Sequence, residues 1–210
     1  MTGGVNALCW ERTLHGDFAA VARALARGEE MIVKLDAARL GALTLDGAGR
    51  EAAGMMLEDF ARLRELGLQP ELNAIWDYPR DAEGIVPTDV FSWHVDSATE
   101  PADTWLCTYF GAASEGLPNA AAVRRVDVAE TRAALLREFD GDEGAAFEEW
   151  LAENCYDLHY AARPGARPWA FGVGHFWRIA AQYEGAPVPP CIHRAPATVP
   201  GAGPRLLLIS

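Results

Sequence analysis

From residue 71 onward the chain breaks into short runs dense in β-branched and aromatic residues. They are LNAIWDY (72–78), DVFSWHVD (89–96), TWLCTYF (104–110), YDLHYAA from residue 156, WAFGVGHFWRIA (169–180), PCIHRA (190–195) and RLLLIS (205–210). Pro, Gly and Asp stand between them, the pattern of strands separated by turns. Many short strands without a helix between each pair favour a sandwich, jelly roll or small barrel over an alternating α/β sheet. Helical spacing returns only at VAETRAALLREF (128–139) and AAFEEWLAEN (145–154), on either side of a GDEG break.

The first seventy residues have a different texture. Asp17 stands where an N-cap belongs, before FAAVARALARG, whose Phe18, Val21 and Leu25 recur at helical spacing and which stops at Gly28. MIVKL (31–35) reads as a strand, and residues 49–66 as a second amphipathic helix with Met56, Phe60 and Leu63 on one face. A chain of 210 residues suits one domain with a sizeable core. The expectation is therefore an α+β domain over 1–210: a helical flank with one strand over 1–70, and a β core over 71–210 carrying a helical insertion at about 113–166.

Charge narrows the partners. Eighteen basic residues against thirty acidic ones leave a formal charge of −12, with no basic stripe to neutralise phosphates. Nucleic acid and anionic membrane surfaces are thus not expected partners. Lys34 is the only lysine beside seventeen arginines, which with the abundant alanine reads as compositional bias. Cys9, Cys107, Cys155 and Cys191 are widely spaced without a Cys-x-x-Cys pair, so free thiols are expected. Neither a signal-peptide start nor a membrane-length apolar run is visible, and a cytoplasmic location is expected.

The run DVFSWHVD carries the first sign of chemistry. Chance yields about 0.3 His-x-Asp pairs in such a composition, on the two-residue period of strands. The chain holds two. His15-Gly16-Asp17 lies at a helix start, where Asp17 is a cap. His94-Val95-Asp96 lies in a strand, where residues two apart share a face. A His and an Asp on one buried face are costly unless paired with each other or bound to something.

A third residue completes a pattern. His193 stands in PCIHRA, and two His with one carboxylate and open positions describe a facial non-haem Fe(II) site. Twelve residues later Arg205 opens RLLLIS. An Arg on a core strand needs an anionic partner, and its guanidinium fork matches a carboxylate.

This order, HxD, then the distal His of HRAP, then an Arg about a dozen residues on, resembles the 2-oxoglutarate- and Fe(II)-dependent oxygenase superfamily. The segment NAIWDYPRD is similar to the strand that precedes the HxD of that family. The resemblance implies a double-stranded β-helix, a jelly-roll or cupin-like core. It implies His94, Asp96 and His193 as iron ligands and Arg205 as the anchor of 2-oxoglutarate. The implied activity is that of a dioxygenase. O2 and 2-oxoglutarate give succinate and CO2, and the substrate, expected to be a small metabolite or amino-acid-derived compound, is hydroxylated or desaturated. Asp at position 96, where related halogenases keep a small residue, disfavours halogenation. The serine that often follows the family's Arg is missing, because Ser210 lies at an odd offset from Arg205.

Two other readings compete: a cupin-type metalloenzyme without 2-oxoglutarate, and a non-enzymatic acidic interaction domain in which His94 and Asp96 only pair. Arg194, adjacent to His193, is expected to face away from the metal. His159 and His175 read as core or supporting histidines. Tyr109, Cys107 and Trp105 share a strand face that offers a bulky wall to a pocket.

Overall fold

In the computed structural model, which describes residues 1–210, the strands form two six-stranded antiparallel sheets accompanied by five α-helices. In chain order the elements are β1 (Ala7–Trp10), α1 (Phe18–Ala24), β2 (Ile32–Lys34), α2 (Ala37–Gly41), α3 (Gly47–Glu65), β3 (Glu71–Ile75), β4 (Trp93–His94), β5 (Asp103–Phe110) and β6 (Glu115–Leu117). There follow β7 (Ala122–Arg124), α4 (Ala129–Phe139), α5 (Ala145–Glu153), β8 (His159–Ala162), β9 (Trp169–Ala170), β10 (Phe176–Ala180), β11 (Ile192–Arg194) and β12 (Arg205–Ile209). One sheet runs β1-β10-β5-β12-β3-β2 and the other β7-β8-β4-β11-β6-β9. From β3 to β6, and again from β9 to β12, the chain alternates between the two sheets.

The first sheet is buried on both faces, which is why β12 reads as an unbroken apolar run after its arginine. Leu206 and Leu208 point outward into a cluster with Leu72, Ala74, Cys107 and Tyr109, covered by Val21 of α1, Leu40 of α2 and Met56 of α3. Leu207 points the other way, toward Ile75, Leu106, Phe171 and Ile179 between the sheets. The three covering helices start on aspartates, Asp17, Asp36 and Asp46, each accepting a hydrogen bond from the backbone N–H three residues on. No helix is long and apolar enough to cross a membrane.

Two expectations are corrected. The N-terminal flank holds two strands rather than one, and β1 and β2 form the two edges of the first sheet. The interval 113–166 is not purely helical. Its β6 belongs to the core of the second sheet, and β7 and β8 extend that sheet, while α4 and α5 build a small cluster of their own around Leu135, Phe147 and Leu151. Both corrections concern strands of three or four residues, too short for a two-residue period to register.

The outward face of β5 also departs from expectation. Cys107 and Tyr109 back onto the helices instead of lining a pocket. The Tyr109 hydroxyl donates to Asp59 Oδ2 at 2.8 Å, and Arg12 grips the same carboxylate with both terminal nitrogens. Arg12 Nε donates to the Gly174 carbonyl at 2.8 Å, so one buried network ties the N-terminal segment, α3 and the sheet together. Tyr109→Phe removes one hydrogen bond to a charged group and is expected to cost about 2 kcal/mol in denaturant unfolding. An unchanged midpoint would mean that the network does not brace the fold.

Candidate metal centre

The approach to the centre is shaped by Asp89. Its buried carboxylate accepts from the backbone amides of Phe91 and Ser92 at 3.0 and 3.1 Å, a local turn that feeds the chain into β4. Trp93 and Val95 then face outward and pack with Leu117, Ala122 and Ile192. By the two-residue period His94 and Asp96 face inward. The neighbouring β11 places His193 directly opposite His94 in register, their ring centroids 4.5 Å apart.

Backbone carbonyls hold both imidazoles. His94 Nδ1 lies 2.8 Å from the Ser92 carbonyl and His193 Nδ1 lies 3.2 Å from that of Cys191. A carbonyl only accepts, so each ring carries a proton on Nδ1, and Nε2 is the nitrogen that a neutral ring offers to a metal. Thr104 Oγ1 donates to Asp96 Oδ2 at 2.5 Å, while Asp96 Oδ1 stands 3.7 Å from His193 Nε2. One ligand atom from each of His94, Asp96 and His193 lies within 4.8 Å of the others. Two imidazole nitrogens and one carboxylate beside the cavity are a candidate donor set for a divalent first-row metal. Thr104→Val leaves Asp96 free to rotate, and metal affinity should fall about 10- to 100-fold with the fold retained. Chelator competition measures this; an unchanged affinity would show that Asp96 is held by other means.

Burial and the nearby His193 pull the pKa of His94 down to about 4. Burial lowers that of His159 as well. An unfolded histidine titrates near 6.5. Below that pH the unfolded chain takes up protons that the folded one refuses, so acid favours unfolding, and for His94 the loss levels off near pH 4. The metal-free protein should therefore melt at lower temperature at pH 5.5 than at pH 7, with a shallower slope in His94→Gln. Equal slopes in the two proteins would show that His94 is not held neutral by burial.

Arg205 lies in the same cavity, which has a volume of about 460 Å³. Its side chain is buried, yet it forms no ion pair. Nη1 donates to the Tyr78 hydroxyl at 3.2 Å, and Nη2 donates to Thr108 Oγ1 at 2.9 Å and Ser114 Oγ at 2.8 Å. Nε is buried without any partner. Burial lowers the guanidinium pKa, with no carboxylate nearby to oppose it.

The structure thus brings His94, Asp96 and His193 together and sets Arg205 on the wall of the same cavity. Arg194 turns away, pairing with Glu115 and stacking over Trp93. His175 accepts from the Arg12 amide at 3.4 Å, apart from the cluster. His159 is nearer than its sequence position suggests. It faces His94 across β8 and β4, and its Nδ1 lies 2.9 Å from Ser92 Oγ, so it braces the residue whose carbonyl orients His94. Sequence reasoning missed Thr104, Thr108 and Ser114. Their only signal is that polar residues alternate with apolar ones along β5 and just beyond it.

Comparison of this chain with protein-family models, with curated proteins and with solved structures finds no match.

Proposed function

We propose that the protein is a non-haem Fe(II)- and 2-oxoglutarate-dependent oxygenase that hydroxylates or desaturates a small molecule. The observation that carries this reading is Arg205, a buried guanidinium with no acid beside it and an unsatisfied Nε, in the same cavity as the His94, Asp96 and His193 cluster. Leaving a charge buried and unpaired is expensive, and a carboxylate ligand removes the cost. A cupin-type metal site that takes no carboxylate gives Arg205 nothing to do. The alternation of β3 to β6 and β9 to β12 between the two sheets supports a double-stranded β-helix.

In this reading His94, Asp96 and His193 hold the iron, and Arg205 takes the distal carboxylate of 2-oxoglutarate. The metal with its co-substrate and O2 supplies the power to remove hydrogen from an unactivated carbon. The protein supplies placement. The carbonyls of Ser92 and Cys191 fix the orientation of both imidazoles through Nδ1, and Thr104 keeps one oxygen of Asp96 turned inward. The hydroxyls of Tyr78, Thr108 and Ser114 hold the Arg205 fork in place before any ligand arrives, so its orientation costs nothing on binding. Leu106 and Leu207 give the cavity an apolar wall that limits water.

The test is slow, substrate-independent turnover. Purified protein with Fe(II), ascorbate and 2-oxoglutarate should release succinate in air, followed by NMR, and His94→Ala should not. Succinate at the same rate in both would sink the proposal.

A further inference from the structure

The end of the cavity formed by β2 and β3 is chemically unlike the rest. Lys34 of β2 and Glu71 and Asn73 of β3 all line it. Lys34 lies opposite Asn73 in the β2–β3 register, and its Nζ pairs with the Glu71 carboxylate. Asn73 is 5% exposed, and its Oδ1 is buried without a hydrogen-bond partner. Lys34, which composition alone presents as a stray lysine in an arginine-rich chain, thus stands at the mouth of the cavity lined by His94, Asp96 and His193.

Between this polar end and the cluster the wall is apolar. Glu71, Ile209 and Leu106 are register partners on three successive strands. At about 4.8 Å per strand, Glu71 and Leu106 are about 10 Å apart. Leu106 is two residues from Thr104, which holds Asp96. Leu207 and Ile32 fill the same wall.

An exposed Lys–Glu pair contributes little to stability, so the fold has slight need of it. An unpartnered buried acceptor such as Asn73 Oδ1 is costly until something donates to it. A ligand with a single charge would engage one member of the Lys34–Glu71 pair and leave the other to solvent. A ligand carrying both charges replaces each partner and leaves the balance intact.

We propose that this end of the cavity binds the head group of a free α-amino acid with an apolar side chain. The α-carboxylate lies on Lys34 Nζ, and the α-ammonium donates to the Glu71 carboxylate and to Asn73 Oδ1. The side chain runs over Ile209 and Leu207 toward the metal cluster. As the identity of the substrate, this assignment rests on the oxygenase reading; as a binding site, it rests on Lys34, Glu71 and Asn73. Lysine suits the role, being a mobile point charge that can leave one carboxylate for another.

The experiment is calorimetric titration of the full-length protein with the twenty common amino acids in both enantiomers. It is run on the metal-free protein and again anaerobically with Fe(II) and 2-oxoglutarate. At least one apolar amino acid should bind, and its N-acetyl and methyl ester derivatives should bind at least tenfold more weakly. Lys34→Met and Asn73→Leu should weaken it at least tenfold, while binding of Fe(II) and 2-oxoglutarate stays at the wild-type level. If no amino acid binds, or if binding ignores Lys34 and both blocking groups, the proposal is overturned, whatever the protein does with 2-oxoglutarate. If an amino acid binds as described but 2-oxoglutarate does not, the recognition site stands and the oxygenase reading falls.

Discussion

Arg205→Met should weaken 2-oxoglutarate binding by about 30-fold to several thousand-fold, the cost of about 2–5 kcal/mol for removing one partner of a buried, hydrogen-bonded charge pair. The effect is expected to be this large because the guanidinium is 7% exposed, meets no acid within the protein, and is held by Tyr78, Thr108 and Ser114 in a fixed orientation. Methionine keeps much of the volume and none of the charge. Iron binding should be unaffected, since Arg205 is no part of the ligand set. The metal-free variant should not be greatly destabilised, because the substitution removes an uncompensated buried charge. Arg205→Lys should fall between the two: it keeps a charge but loses the fork that engages both carboxylate oxygens. Calorimetric titration of the iron-free proteins with 2-oxoglutarate measures the series. Equal affinity in Arg205→Met and wild type would remove the anchor from the account.

His193→Ala is expected to abolish stoichiometric iron. Losing a group that merely orients a ligand already costs about 10- to 100-fold in metal affinity, and in the proposed site His193 is one of three donors. The substitution leaves His94 without its ring neighbour across β4 and β11, but the carbonyl of Ser92 still holds it. The fold should therefore survive, because the apolar clusters on both sides of the first sheet are untouched. Metal analysis after reconstitution and desalting should find about one iron per chain in wild type and under about a tenth of that in the variant. Full iron content in a folded His193→Ala would assign the site to other residues, with His159 the first to examine.

Much of this arrangement is written in local patterns. The outward Trp93 and Val95 and the inward His94 and Asp96 follow from strand alternation alone, as does the turning away of Arg194 from the cluster. Most of the first sheet and two of its covering helices, α1 and α3, follow from apolar runs, helical spacing and the cap at Asp17, whereas β1 and the short α2 carry no such signal. What was not legible depends on register between distant segments. Nothing in the sequence pairs residue 159 with residue 94, yet that pairing brings a third imidazole beside the cluster. The hydroxyl that the family pattern places after the arginine is absent from β12. Thr108 and Ser114, from β5 and the turn beyond it, accept hydrogen bonds from Arg205 Nη2. The pocket wall expected of Tyr109 and Cys107 faces the helices instead, because bulky apolar side chains suit either setting and the sequence does not say which face of β5 the helices cover. Lys34 carried no signal at all until β2 was seen to form the edge of the first sheet beside the cavity.

The most direct test of the central claim is anaerobic titration of the metal-free protein with Fe(II) and then 2-oxoglutarate, followed by visible absorption. A metal-to-ligand charge-transfer band is expected that saturates at one equivalent of each, is absent in His193→Ala and is lost or strongly weakened in Arg205→Met. Iron bound at one equivalent with no such band on adding 2-oxoglutarate would contradict it.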